Sequence, residues 1–442
     1  MDWLRAPLAE QGRAIMAGLI SPIDQAEAYL DAAAKHPYGS RIYARMTPER
    51  ARKEAVAAHD RVKSGLRRSL LDGVAISWKD NVDSAGTPTE AGSQLLKGRT
   101  PDADAEILSH ATGAGLVCLG KTHMTELAFS GLGLNPMTAT PPNAYDPALA
   151  PGGSSSGAAV SVALGLAAAA IGTDTGGSIR LPAAWNGLVG FKPTHGAISG
   201  EGVVPLCLRF DTAGPIARTV EDCALLFSAL TRGPEIDLSE TPNRKLRLLV
   251  LEGIPFDGAR EAPVAAFEDA VKRLEKAGAH ISRATVPAVA EVFKLAGTVF
   301  APEAYGIWRE QIEASPELMY PLILERFRGG RDTLATDYVQ AWIRLEQLRR
   351  DWAVAVAGYD AVIVPTAPLL PPDAEKLLAD EDFFVTENLL ALRNTRIGNF
   401  MGLPAITLPT GQPACGIMLM GRAGGDRALL VTAAEAEAAL AA

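Results

Sequence analysis

Two serines and a lysine, each in glycine-rich or strand-like surroundings, are of types that can serve as nucleophile and general base. In Gly172-Thr173-Asp174-Thr175-Gly176-Gly177-Ser178-Ile179-Arg180 a serine directly follows two glycines. The apolar run Ala167 to Ile171 stops just before it, and Leu181, Ala184 and Leu188 recur after it at helical spacing. The glycines let the backbone turn tightly and bare its N–H groups, so a nucleophilic hydroxyl there has an oxyanion site beside it. Read alone, the segment is more simply a glycine turn capped by a serine. A second string, Pro151-Gly152-Gly153-Ser154-Ser155-Ser156-Gly157, runs into Ala158, Ala159, Val160 and Val162, and alone it reads as a loop or helix cap. The third segment, Gly73 to Asn81, alternates Val74, Ile76 and Trp78 as a half-buried strand does and then reaches Lys79. A lysine at a strand end usually extends to solvent. To act as a base it must be neutral, which requires desolvation, because an exposed lysine is charged at neutral pH.

A different nucleophile is also possible on pattern alone. Gly153-Ser154-Ser155-Ser156-Gly157 fits the Gly-x-Ser-x-Gly elbow, which would make Ser155 the attacking residue. That elbow needs a strand directly before it, and Pro141-Pro142-Asn143-Ala144-Tyr145-Asp146-Pro147 cannot be a central strand. A Ser-His-Asp enzyme also needs a downstream histidine. Only His195, in a Lys-Pro-Thr-His-Gly turn, and His280, at the start of a strand, are available, and both read as structural or surface residues. Phosphate-loop, dinucleotide-fold and paired-histidine zinc patterns are absent, as is Ser-x-x-Lys. The four cysteines, Cys118, Cys207, Cys223 and Cys415, are widely spaced in apolar surroundings and read as buried free thiols.

Together the three segments resemble the amidase signature family, whose Ser-Ser-Lys triad sits in Lys-Asp-Asn, Gly-Gly-Ser-Ser and Gly-Thr-Asp-x-Gly-Gly-Ser contexts. Here 75 positions separate Lys79 from Ser154, and 24 separate Ser154 from Ser178. Gly120-Lys121-Thr122, Gly190-Phe191-Lys192-Pro193-Thr194, Asp211-Thr212-Ala213-Gly214-Pro215 and Gly402-Leu403-Pro404-Ala405 fit the same family. The resemblance implies that Ser178 is the nucleophile, Ser154 the relay and Lys79 the base. It further implies an oxyanion held by the N–H groups of Thr175, Gly176, Gly177 and Ser178, and a cis Gly153–Ser154 peptide. Asp174 and Arg180 would brace the turn. The stretch His123-Met124-Thr125-Glu126-Leu127-Ala128-Phe129 resembles one that reaches the acyl site, through the Ala128 backbone and the Phe129 ring. His123 stands where many relatives have asparagine. No cofactor is implied. Selectivity is expected from residues 300–335 and 375–400, where the fit is weakest.

The resemblance leaves three functional readings. A stand-alone amidase would cleave a small-molecule amide to acid plus ammonia or amine. The A subunit of the glutamine-dependent aminoacyl-tRNA amidotransferase shares the triad and works with partner chains. Around residue 303 that protein would show a Glu-Ala-Ser-Ser-Asn-Leu-Ala-Arg-Tyr-Asp-Gly-like run, where this chain has Glu303-Ala304-Tyr305-Gly306-Ile307-Trp308-Arg309-Glu310. Its aspartate before Asn-Leu-Ala-Gly-Leu-Pro is also not evident in Arg396-Ile397-Gly398-Asn399-Phe400-Met401-Gly402-Leu403-Pro404. Both departures favour the stand-alone enzyme. An inactive scaffold ranks last, because every triad position is occupied.

The elements that must hold these residues alternate along the chain. The uncharged stretch 147–173 is long enough to span a membrane but opens with Pro-Gly-Gly-Ser-Ser-Ser-Gly. It reads as a loop, a small-residue helix over 156–166 and a buried strand to 171. Further strands are expected at Leu246–Leu251, 280–285, Ala361–Val364 and Gly416–Gly421. Helices are expected through Val264, Phe267, Val271 and Leu274, over 338–357, and at the alanine-rich C-terminus. This is the α/β class, which the resemblance sharpens to a single α/β/α domain around a large mixed sheet. Residues 1–65 look helical and would pack outside residues 66–442 or at a dimer contact. With 442 residues, 48% of them hydrophobic, the chain can bury a large core. A net charge of −9 disfavours a nucleic-acid surface. Charges at Asp2, Arg5, Glu10 and Arg13 argue against a signal peptide, and the unpatterned cysteines fit a reducing cytoplasmic setting. The expected partner is a small-molecule amide, with no nucleic acid or membrane, and a homodimer is plausible from the family.

Overall fold

The computed structural model describes residues 2–239 and 245–441. Among them, eleven strands form one sheet: β1 (Tyr43–Met46), β2 (Ala75–Lys79), β3 (Val117–Thr122), β4 (Ala170–Asp174), β5 (Val189–Lys192), β6 (Thr212–Ala217), β7 (Arg247–Leu251), β8 (His280–Ala284), β9 (Ala361–Pro365), β10 (Ala405–Pro409) and β11 (Gly416–Met420). Their spatial order is β1-β3-β2-β4-β6-β5-β10-β11-β9-β7-β8. The sheet is mixed. β2 runs parallel to β3 and β4, and β7 parallel to β8 and β9, while the pairings from β4 across to β9 are antiparallel.

Helices cover both faces, and strand alternation divides the core between them. On β7, Leu248 and Val250 pack with Phe267 and Leu274 on one side, while Leu249 and Leu251 pack with Trp308 and Trp352 on the other. β2 departs from the half-buried strand its alternation suggested, because all five of its residues are buried. Its one small polar residue, Ser77, faces the helix Ser156–Ala163 and shares a 2.8 Å hydrogen bond with Ser161. A central parallel strand is covered on both faces, so a polar residue there must find an internal partner.

The uncharged stretch lies in the core, and no helix among the described residues is long and apolar enough to cross a membrane. Its helix spans Ser156–Ala163, and its strand runs on to Asp174 rather than ending at 171. The small residues let that helix approach closely. A Cβ on Gly157 would lie 2.5 Å from the Ile42 carbonyl oxygen. The first 65 residues supply helices, including Pro22–Lys35 and Pro48–Lys63, but also the strand β1 that pairs with β3. Tyr43 is buried there and donates to the Leu166 carbonyl, which ties this segment to the turn before β4.

Candidate active site

β2 and β4 are parallel neighbours, so their C-terminal ends lie on one edge of the sheet; Lys79 ends the first and Asp174 the second. Lys79 is completely buried. Its Nζ lies 2.7 Å from Ser154 Oγ and 2.8 Å from Thr173 Oγ1, with the Thr173 carbonyl at 3.4 Å. Asn81 holds Thr173 in place by donating to the same Oγ1 at 3.0 Å. Burial pushes the Lys79 pKa down to about 7, against the pull of Asp174 and Asp211 in the other direction.

Ser154 sits in the loop before the helix Ser156–Ala163, and the Gly153–Ser154 peptide is cis. Backbone bonds clamp this loop on both sides: Gly153 N–H donates to the Gly131 carbonyl at 2.7 Å, and Thr125 N–H to the Ser154 carbonyl at 3.1 Å. The next amide, Ser155 N–H, donates to the Ser178 carbonyl at 3.3 Å and so joins the two serine segments. The Ser155 hydroxyl itself points to the β4 backbone and donates to the Thr173 carbonyl at 3.2 Å. Ser155, the alternative nucleophile of the elbow pattern, is fully buried and does not reach the cavity.

Ser178 does reach it. A cavity of about 240 Å³ is lined by Ser178, Thr175, Gly176, Ala128 and Phe129, all five of them residues expected at the site. A larger cleft of about 760 Å³ between Arg68, His110 and Arg232 touches none of these groups. The loop from β4 to Ser178 is shaped by Asp174, whose carboxylate accepts from Gly177 N–H at 2.8 Å and Ile179 N–H at 3.2 Å. Gly177 was expected among the oxyanion donors. Its amide is instead bonded to this carboxylate, while Thr175, Gly176 and Ser178 are the loop residues that line the cavity.

Arg180 closes the brace, with Nε and Nη2 at 3.0 and 2.9 Å from the two Asp174 oxygens. Asn399 bridges the pair, donating to Asp174 at 2.8 Å and accepting from Arg180 at 2.6 Å. Burial alone would raise the Asp174 pKa, but Arg180, Lys192 and Asn399 hold it down to about 2. Thr175 is anchored by its hydroxyl to Asp211, which also accepts from the Leu206 and Cys207 amides. Burial pushes the Asp211 carboxyl up to about 6.

Ala128 and its neighbour Leu127 adopt left-handed backbone, with φ of +62° and +44°. Strained backbone of this kind persists where the surroundings enforce it. Here Leu127 N–H is held by the Ala91 carbonyl and Ala128 N–H by that of Thr125. His123 lies outside the cavity; burial pushes its ring pKa down to about 4, and its carbonyl accepts from Gly157 N–H. Both segments expected to set selectivity contribute to the lining, through Phe300, Arg326, Leu392 and Arg396. Sequence reading missed the two arginines, and it also missed Thr395, whose hydroxyl donates to the Gly176 carbonyl at 2.7 Å. These residues lie more than 140 positions from Ser178 and carry no local pattern. Asn399 had one available signal, a polar residue just before Phe400-Met401-Gly402-Leu403-Pro404.

A family model described as Amidase matches residues 24–430. The chain belongs to the amidase family. Amidases hydrolyse carbon–nitrogen amide bonds, and this amidase is a hydrolase of small molecules. It is 34% identical to the 2-amino-5-chloromuconic acid deaminase of Comamonas testosteroni, over 90% of this chain and 88% of that one. It is 31% identical to the A subunit of the glutamyl-tRNA(Gln) amidotransferase of Anaeromyxobacter sp. (strain K), over 98% and 95%. A crystal structure of an amidase superposes with a TM-score of 0.87 at 30% identity, covering 98% of this chain and 99% of that one. The large mixed sheet covered by helices is therefore the fold of this family.

Proposed function

We propose that this amidase works alone, cleaving a small-molecule amide through an acyl-enzyme on Ser178. The observation that carries the acyl-enzyme route is the 2.7 Å contact between the buried Lys79 amine and Ser154 Oγ, in the loop bonded to the Ser178 backbone. With its pKa near 7 the amine is substantially neutral at neutral pH. Its two N–H groups then serve Thr173, and its lone pair accepts the Ser154 proton. Ser154 in turn takes the proton of Ser178 as the Ser178 oxygen bonds to the amide carbonyl carbon. The carbonyl oxygen becomes an oxyanion facing the Gly176 and Ser178 amides. Collapse breaks the C–N bond, and the proton stored on Lys79 returns through Ser154 to the leaving nitrogen. Water, activated by the same relay, releases the acid. Asp174 and Arg180 support the turn and do not touch substrate in this scheme.

The A subunit of the amidotransferase is the second reading, favoured by the 31% identity over 98% of the chain. The composition of the cavity weighs against it. Glutamine brings a free ammonium, yet no aspartate or glutamate is among the residues lining the cavity. The test is covalent labelling with a fluorophosphonate, mapped by peptide mass, beside Ser178→Ala. Labelling at Ser178 that disappears in the variant is the expected result. Labelling at Ser155, or undiminished labelling in Ser178→Ala, would overturn the assignment.

A further inference from the structure

Two of the cavity's residues have no part in bond cleavage. Arg326, on the helix Pro321–Arg328, donates Nε to the Phe129 carbonyl at 2.7 Å, and its guanidinium lies 4.7 Å from the Phe129 ring centroid. Arg396, on the helix Arg393–Phe400, donates to the Leu389 carbonyl at 2.7 Å and the Leu392 carbonyl at 3.3 Å. Both line the same cavity as Ser178. Among the described residues neither has a carboxylate partner; Arg67 and Arg218 are likewise bonded only to carbonyls, but neither lines this cavity.

We infer that the cavity is built for an amide that also carries a carboxylate, held between the Arg326 and Arg396 guanidiniums. This rests on the reading of Ser178 as the nucleophile. Two uncompensated cations lining one small cavity destabilise the free protein. Burial lowers both arginine pKa values to about 10, and for Arg396 the nearby Arg326 and Arg393 add to the effect. An anionic ligand removes that repulsion. The guanidinium fork suits a carboxylate, because two parallel N–H groups meet its two oxygens. With Nε committed to Phe129, the outer edge of Arg326 keeps such a pair.

Position fixes where the carboxylate sits relative to the reacting bond. The Arg396 stem lies against the oxyanion loop, 3.3 Å from where a Cβ on Gly176 would stand. Arg326 stacks on Phe129, beside the strained Ala128. The cavity, at about 240 Å³, is small, so the carboxylate is separated from the scissile amide by a short carbon chain. With no acidic side chain in the lining, the substrate carries no ammonium. Its class is the short dicarboxylic-acid monoamide.

The test uses Ser178→Ala, which binds without turnover, and reads dissociation constants by calorimetry. Malonamate, succinamate and glutaramate are each compared with the neutral primary amide of the same length. At least one acid is expected to bind about 10- to 100-fold more tightly than its neutral counterpart. Adding Arg326→Gln or Arg396→Gln should bring the acid-to-neutral affinity ratio close to one, while Arg326→Lys should restore part of it. Equal binding of acid and neutral amide across the series, or a preference that survives both glutamine variants, overturns the inference. Fluorophosphonate labelling of the wild type separates the two ideas. Labelled Ser178 without carboxylate preference sinks the substrate class alone; carboxylate binding without labelling supports the class and sinks the nucleophile.

Discussion

In the proposed relay, Lys79 sets the pH at which this enzyme works. Burial lowers its pKa to about 7, while the charges of Asp174 and Asp211 oppose the shift. Only the neutral amine can accept a proton, so kcat/KM should fall below an acid limb near pH 7. Asp211→Asn keeps an acceptor for the Thr175 hydroxyl but removes the opposing charge. The limb should then move to lower pH, and a pH–rate profile that does not move would show that Asp211 has no electrostatic reach to the amine. The same residue links to stability. The unfolded chain holds the lysine proton up to the ordinary lysine value of 10.5, and the folded chain releases it at about 7. The unfolded state therefore binds more protons between these values, and stability gained from this site rises with pH across that window. Lys79→Met should flatten the rise in denaturant titrations run at about pH 7 and about pH 9.5, values that lie inside the window, and should abolish turnover.

At the scale of elements, the turn between β4 and the helix Arg180–Trp185 is the most constrained piece of the site. Gly177 has φ of +138°, and a Cβ there would stand 2.1 Å from Thr395 Oγ1 on the helix Arg393–Phe400. Alanine would have to push the turn away from that helix and off its Asp174 anchor, displacing the neighbouring Gly176 and Ser178 amides. Loss of one oxyanion donor costs about 2.7–4 kcal/mol of transition-state stabilisation. Gly177→Ala should therefore lower kcat by about 100-fold or more, with KM much less affected. Adding Thr395→Gly removes both the hydroxyl and the Cβ that would stand 2.1 and 2.6 Å away, but not the left-handed strain on alanine. Steady-state kinetics on the pair decide between the two causes: recovery in the double variant would make the clash, rather than the backbone, responsible.

The whole molecule is joined at its site by one buried polar cluster. Asp174 and Arg180 come from the first half of the chain, while Asn399 and the Thr395 carbonyl arrive from more than 200 residues later. Removing one partner of a buried ion pair strands the other charge, which costs about 3–5 kcal/mol. Asp174→Asn should show a loss of that size in urea unfolding. Asn399→Ala, which leaves both charges paired, should cost about 1–3 kcal/mol. An Asp174→Asn enzyme as stable as the wild type would mean that the charge has no structural task.

The three segments around Lys79, Ser154 and Ser178 were legible in the sequence as a strand end, a loop and a tight turn, and only the family resemblance implied a base, a relay and a nucleophile there. Glycines must stand where the chain turns tightly, a polar residue must follow an apolar strand, and these requirements fall within a few neighbouring positions. Strand and helix alternation announced the α/β class for the same reason, since periodicity is a property of short segments. The sequence could not reveal that β2 is buried on both faces, because its alternation reports side chains and not the layers that later cover them. Nor could it direct the Gly177 amide inward, bring Asn399 against Asp174, or set Arg326 and Arg396 into one cavity with Ser178. Those arrangements depend on β10 and β11 and the helices before them folding back onto β4 to β6. Contacts between residues hundreds of positions apart are decided by the packing of the whole sheet, and only the tertiary structure shows them.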